Sequence, residues 1–402
     1  MRRGVVVGLA FTVLVAVLPH TGMALAQSGV AEPVTPEQAD AIRDTLQRPP
    51  AKPPFDAVDA VALPFKILFL PLRLVGLGFA ELAGLAIQPD PKPIPIVETL
   101  KNAGVRAGFG SIGPRSGFAL RLGYGGAPPF FLESAVSIRL SQRHRAGFLL
   151  LGGSGQSLEA AYTFWRNAAP HFYGIGIGTR KDDERDFLWD QQTVSIAGSG
   201  LKRIDRAATL AFSADLAYED NRVDRGRDGD ATDIQDDSVY SRLYGVGERV
   251  KYVRGGASLG LDLTYSNGLQ RRGLSIAGGY QYFRGVADTD SDFQRFDVNV
   301  FGYLPLNSRQ QLAFQVMTEA NRSVSGEGVP FYHLASLGSE QGGRAYHQLR
   351  FRDLAMAAFM VEWRWEVWRE LHERSRIESF LFYDSGSVAE SVLSIQFRNM
   401  RR

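Results

Sequence analysis

Chemistry needs particular side chains in reach of one another, and this 402-residue chain offers few such sets. It contains no cysteine, which removes thiol nucleophiles, thiolate metal sites and disulfides. His144, His171, His333, His347 and His372 are scattered, and none forms a close pair of zinc-ligand spacing. Ser266 has Thr264 two residues before it, and a serine with no base beside it is not activated. Asn267-Gly268 suits a type I′ hairpin turn, which accounts for that stretch without chemistry. The aspartates of Glu219–Arg242 do not follow the alternating Asp/Asn-then-Gly spacing of a calcium loop, so the segment reads as a charged, solvated external loop. No glycine-rich phosphate loop opens a helix, and no basic-aromatic stripe suggests nucleic acid. The chain is therefore read as a non-enzyme with no catalytic residue, metal or cofactor. What remains is ionic: Arg344, near the tip of the long segment Pro330–Asp353, and the carboxylates Glu362 and Asp384 beyond it. A guanidinium in a confined space demands a carboxylate, so pairing is the chemistry this set can perform.

The elements that must bring those three together show a period of two from about Gly104 onward. Leu259, Leu261, Leu263 and Tyr265 alternate with Ser258, Gly260, Asp262, Thr264 and Ser266. Leu210, Phe212, Ala214, Leu216 and Tyr218 alternate with Thr209, Ala211, Ser213 and Asp215, and Leu312, Phe314 and Val316 with Ala313, Gln315 and Met317. Val136, Ile138 and Leu140 alternate with Ser137 and Arg139. Such alternation means strands with one apolar face and one polar face. The runs are about 9–13 residues long, nearer to a tilted membrane-crossing strand than to the usual five or six. Backbone in lipid must be fully paired, so strands of this kind close on themselves. The fold predicted is all-β, a transmembrane antiparallel β-barrel of about 14–16 strands with an inward-folded loop. Along "FMVEWRWEVW", Phe359, Val361, Trp363 and Trp365 then face lipid and Glu362, Arg364 and Glu366 face the lumen. Asp384 shares a face with Glu378, Phe380, Phe382 and Gly386. If that face is the lumen, Glu362 and Asp384 can both meet Arg344.

The N-terminus sets the compartment. Arg2 and Arg3, the apolar run from Gly4 to Leu18, and Ala24-Leu25-Ala26 have the form of a secretory signal peptide, residues 1–26, cleaved after Ala26. Residues 27–102 are punctuated by proline on both flanks and read as a periplasmic linker around the apolar stretch Val61–Gln88. Pro71, Lys66, Arg73 and Glu81 argue against a spanning helix there and for a short helix at the interface or in the lumen. Residues 103–402 form the barrel. The formal net charge of +2 favours no acidic partner.

In order along the chain stand Leu337-Gly338, Arg344-x-Tyr346, Arg350-Phe351-Arg352-Asp353 and "FYDSG" with Phe382, Asp384 and Gly386. This ordered set resembles the bacterial surface antigen family of outer-membrane proteins, the BamA/TamA type. Pro170–Asp183 is similar to a strand-and-turn segment of the same family, and the resemblance spans roughly Gly104 to Glu390. It implies a loop tucked into the barrel, held by Arg344 against an acidic residue of a following strand, with Arg344, Tyr346, Glu362 and Asp384 as the loop–barrel lock. Gly338, Arg350, Arg352 and Asp353 then belong to the loop motif, and Phe382 and Gly386 to the strand motif. The chain departs from the family pattern at Ser339 and Ala345, where glycines are expected, and residues 27–102 do not read as a POTRA domain. After Asp384 only Leu393, Ile395 and Phe397 alternate, enough for one further strand. Either the barrel closes with about 14 strands or the C-terminus is truncated. The resemblance implies a role in outer-membrane assembly or in transport through the barrel, in a Gram-negative outer membrane. Partners would be outer-membrane lipids and periplasmic or outer-membrane proteins. The alternative is a stand-alone structural or pore-forming barrel without insertase activity. Thr264–Gly273 is also similar to the H-x-S-N-G-R signature of outer-membrane phospholipase A, but threonine stands where the histidine must be.

Overall fold

The computed structural model describes residues 104–395, apart from 114, 126–128, 154, 169, 206–207, 227–230, 268–269, 340–341 and 370–375. The signal peptide with its cleavage site, the linker with Val61–Gln88, His372 and Phe397 lie outside the described residues.

Among the described residues the regular elements are β-strands and short 3-10 turns. Thirteen strands follow one another across one sheet in chain order. They are β1 (Val105–Gly110), β2 (Ala119–Tyr124), β3 (Phe130–Ser137), β4 (Gln142–Gly153), β5 (Gln156–Asn167), β6 (Leu188–Asp205) and β7 (Ala208–Asp224). The second half comprises β8 (Arg249–Asp262), β9 (Gln270–Gly285), β10 (Ser291–Pro305), β11 (Gln310–Gly326), β12 (Ala355–Arg369) and β13 (Arg376–Ala389). Every neighbouring pair is antiparallel, and a fourteenth, short strand, Tyr265–Asn267, pairs with β9. Among the described residues no ladder joins β1 to β13.

The alternation read in the sequence separates two faces. Residues opposite one another in an antiparallel ladder share a face. Ile196 lies opposite Leu216, and Phe212 opposite Leu259. All four are exposed, on the same side of the sheet as Phe296, Val316, Phe359 and Trp363. The other face carries Asp215, Glu219, Arg254, Arg295, Glu319 and Glu362.

That polar face is concave. On a flat sheet β6 and β10 would be four strand spacings apart, about 19 Å. Yet Trp189 of β6, Tyr252 of β8, Phe283 of β9 and Phe293 of β10 all lie within 6.4 Å, ring centroid to ring centroid, of one imidazole, His333. His333 belongs to the connection 327–354 between β11 and β12. This inner loop therefore lies against the polar face, and the sheet curls around it.

Two other long connections, 168–187 and 225–248, meet the inner loop. Phe172, Phe187, Val223, Ile234, Val246, Phe331, Tyr332 and Leu334 form one buried cluster. Phe331 stands edge-on to Phe172 at 5.3 Å and to Phe187 at 5.0 Å.

Several expectations are corrected. The alternation at Val136–Leu140 does not continue as strand: β3 stops at Ser137, and Ile138–Leu140 is a turn. Ser137 N–H donates to the Ser141 carbonyl at 2.9 Å and its hydroxyl accepts from Ser141 N–H, which closes that turn with Leu140 at φ 62°. Glu219–Arg242 is not a wholly solvated loop, because β7 continues to Asp224 and buries Glu219, Asp220 and Asn221. The strands also outrun the expected length, reaching 18 residues in β6. The run Ser258–Ser266 breaks after Asp262, whose carboxylate accepts from Thr264 N–H at 2.8 Å. The expected C-terminal strand is a 3-10 turn over its first residues, Val392–Ser394, capped by the Ser391 side chain.

Phe331 is 1% exposed at the junction of three connections. Phe331→Ala should cost about 3–5 kcal/mol, the range for emptying a buried phenylalanine site. Urea unfolding of the detergent-folded protein should show a lower midpoint. Cleavage by protease should rise in all three connections at once, with the strand signal in circular dichroism unchanged.

Candidate functional site

The inner loop folds back on itself before it meets the sheet. Ala335–Leu337 and Phe351–Asp353 pair as a two-stranded unit, and Leu337 packs with Ala335, Phe351, Met356, Ala358 and Val388. Two glycines make this possible. Gly338 sits at φ 139°, and a Cβ there would lie 2.2 Å from the His347 carbonyl oxygen. At Gly386 of β13 a Cβ would be 2.9 Å from Leu337 Cδ1 and from the Ala357 carbonyl oxygen, so only glycine lets the loop lie this close. Ser339, in place of a glycine, takes φ 51° and donates from its N–H to the Gly343 carbonyl at 2.9 Å. The tip stays tight at a cost of about 1 kcal/mol for the left-handed residue.

Beyond the tip, Arg344 meets both carboxylates. Its Nε and Nη2 donate to Asp384 Oδ2 and Oδ1 at 2.9 and 2.7 Å, a two-pronged contact, and its backbone N–H adds a third bond to Oδ2 at 3.2 Å. Its Nη1 donates to Glu362, whose second oxygen accepts from Arg364 Nε at 2.6 Å. The guanidinium also lies 4.1 Å above the Phe382 ring, which gives that motif residue a cation–π contact. Period-two parity places these partners: Glu362 lies opposite Phe382 in the β12–β13 ladder, and Asp384 stands two residues further along the same face.

The remaining motif residues act elsewhere. Tyr346 is not in this ionic cluster; it stands edge-on to Phe351 at 5.0 Å and packs on the loop's own apolar core. Arg350 lies between the rings of Tyr173 and Phe351 and donates to the Thr179 hydroxyl and carbonyl at 2.8 and 2.6 Å. Arg352 is buried, donating from Nη1 to the Phe331 carbonyl at 3.3 Å, and burial pushes its guanidinium down to about 10. The Arg352 carbonyl accepts from Gly176 N–H at 2.7 Å. Asp353 is buried, accepts from Leu354 N–H at 2.8 Å, and is raised above the usual carboxylate range by that burial.

Sequence reasoning missed a second set on the concave face. Arg254 of β8 bridges Asp215 and Glu219 of β7 at 2.8 and 2.7 Å. Arg295 of β10 donates to Asn321 at 3.0 Å, to the His333 carbonyl at 2.8 Å, and lies 3.4 Å from Glu319. A polar cavity of about 300 Å³ lies beside this network. The signal was the same alternation, since Asp215 and Glu219 share the polar face of β7; what was missing was the neighbour across the ladder. A third set joins the β1–β2 connection to 168–187. There one Glu184 oxygen accepts from Arg115 and, at 3.0 Å, from Tyr173, and lies beside the His171 ring. Burial works to raise Glu184, but the Arg115 hydrogen bond, with His171 and Tyr173, holds it below the usual range. Burial pushes the Tyr173 phenol up to about 12.

No family model matches the chain, and no curated protein matches it. Among solved structures 71 chains match. BamA from Haemophilus ducreyi lacking POTRA domains 1-3 is 13% identical over 72% of this chain and 64% of that one, with a TM-score of 0.46. CdiB from Escherichia coli is 13% identical over 70% and 51%, at 0.46. CdiB from Acinetobacter baumannii is 11% identical over 67% and 46%, at 0.36. The chain spans less than two thirds of each of these structures.

Proposed function

We propose that the sheet closes into a barrel in a Gram-negative outer membrane, with the inner loop as its internal plug, and that the protein serves outer-membrane assembly or transport through the barrel. The observation that carries this reading is a band of exposed apolar side chains with charged residues at its end. On the outer face of β7 the band runs from half-buried Leu210 through exposed Phe212, Ala214 and Leu216 to half-buried Tyr218. That is about 27 Å of strand, which a tilt of roughly 40° reduces to about 21 Å, close to the ~25 Å apolar band of outer-membrane barrels. The next two residues on that face are Asp220 and Arg222, and Asp220 pairs with Arg249 of β8 at 2.8 Å. Arg166 and Asp190 pair in the same way across β5 and β6, at 2.7 Å. A continuous exposed apolar band of this size is uncommon on a soluble monomer. The ordered loop motif supports the surface-antigen reading, and the ionic contacts of Arg344 support its role as the lock.

The lock favours a plugged barrel over an open pore. Arg344→Lys should behave more like Arg344→Ala than like the wild type, because an ammonium cannot reproduce the two-pronged contact. Breaking a fully buried pair costs about 3–5 kcal/mol; with part of the guanidinium in solvent, about 2 kcal/mol is expected here. Arg344→Ala with Asp384→Ala should cost much less than the sum of the singles. The measure is protease cleavage near Gly342–Gly343 in folded protein, and simple additivity would remove the pair. In planar bilayers the wild type should conduct weakly and Arg344→Ala more strongly. A freely conducting wild type would support the stand-alone pore.

The membrane itself is tested at Leu216, which is 58% exposed. Leu216→Arg should cost about 2–4 kcal/mol of folding stability in lipid vesicles if the residue faces the bilayer midplane, and close to zero if it faces water. The wild type should fractionate with the outer membrane and migrate differently before and after boiling. Recovery as a soluble periplasmic monomer would overturn the membrane reading.

A further inference from the structure

The first half of the inner loop is seated by a residue that neither the motif nor the lock includes. His333 is 7% exposed and enclosed by the rings of Trp189, Tyr252, Phe283, Phe293 and Tyr332. Its Nδ1 lies 3.3 Å from Arg295 Nη2. A guanidinium only donates, so Nδ1 must accept, and the ring is the neutral tautomer with its proton on Nε2. That Nε2 points toward Glu219 Oε2 at 3.9 Å, beyond hydrogen-bond reach, and has no hydrogen-bond partner among the described residues. Glu219 is held instead by Arg254 at 2.7 Å and by Gln191 at 3.5 Å.

We propose that His333 is an acid-sensitive anchor: neutral, it seats the Phe331–Leu337 half of the inner loop on the concave face, and protonation releases that half.

The second proton has one place to go. It must add to Nδ1, where the Arg295 N–H already points, so the Arg295 bond is lost and two like charges face each other. Arg254 stands on the same face and adds to the repulsion. The nearest carboxylate, Glu219, faces the nitrogen that already bears a proton, and its charge is committed to Arg254. Glu319 and Asp215 are likewise turned to Arg295 and Arg254. The phenols of Tyr252 and Tyr332 stay neutral at these pH values and supply no charge. Because the charges around the adjoining cavity are paired with one another, the cavity offers a ligand no free ion, and the histidine is its responsive element.

The direction follows from the cage. Burial first, then Arg295 and Arg254, holds His333 well below the usual histidine range while the loop is seated. A histidine released into water titrates near 6.5. Between the two values the released loop binds a proton that the seated loop refuses. The seated state is therefore fully favoured above about pH 6.5 and loses ground as pH falls.

The chain has no cysteine, so a single nitroxide can be placed through Glu327→Cys, at an exposed residue at the start of the loop. Its spectrum in detergent-folded protein should be slow at pH 7.5 and gain a fast component as pH falls toward 5. His333→Gln keeps an acceptor for Arg295 and has no proton to gain, so its spectrum should stay slow throughout. Arg295→Gln removes the opposing cation, so the seated ring refuses the second proton less strongly and the gain of the fast component between pH 7.5 and 5 should shrink. A wild type with the same spectrum at both pH values overturns the proposal. So does a transition that survives in His333→Gln, which would belong to another group. Should His333→Gln fail to fold, an undiminished acid-induced gain in Arg295→Gln overturns the proposal on its own.

Discussion

A strand that turns its apolar side chains outward has to send its charges the other way, and a confined charge is stable only beside its opposite. Much of this protein follows from that constraint. Asp215 and Glu219 leave β7 toward the concave face and are met there by Arg254 of the next strand. Glu319 leaves β11 and is met by Arg295. Glu362 leaves β12 beside Arg364 and Asp384 leaves β13, and both are completed by Arg344 from the loop. The loop is thus part of the charge balance of the sheet as well as a cover over it.

The loop has its own backbone to satisfy, far from the long ladders. It does so with the two-stranded unit of Ala335–Leu337 and Phe351–Asp353, with local turns, and with arginines that donate to main-chain carbonyls. Arg350 reaches Thr179 and Arg352 reaches Phe331, so two cations of the motif hold backbone where Arg344 holds carboxylates. This division explains why the motif contains several arginines and why they are not interchangeable. Arg350 is solvated by aromatic faces, Arg352 is strained by burial, and Arg344 is matched in charge.

The three ends of the loop's contact also differ in kind. At Arg344 the bond is charge to charge and insensitive to pH near neutrality. At Phe331 it is apolar packing shared with two other connections. At His333 it is a neutral ring whose single acceptor is taken by a cation. A loop fixed by three unlike interactions can lose one without losing the others, which a single large apolar interface would not permit.

The alternation of Leu216 with Asp215, or of Trp363 with Glu362, is written in the chain because side-chain direction along a strand is a local property of the backbone. From it the sequence alone determined the all-β class and the shared parity of Glu362 and Asp384, whereas the contact of Arg344 with both is a product of the tertiary structure. It did not determine where strands end: Ser137 stops β3 through hydrogen bonds to Ser141, and β7 runs on through a segment whose charges suggested a loop. Nor could it place Arg350 against Thr179, 171 residues away, or put Arg254 between Asp215 and Glu219. The cage around His333 was the least legible of all. Its walls come from β6, β8, β9 and β10, and they converge because the sheet curls, a non-local outcome that no run of residues on any one strand encodes.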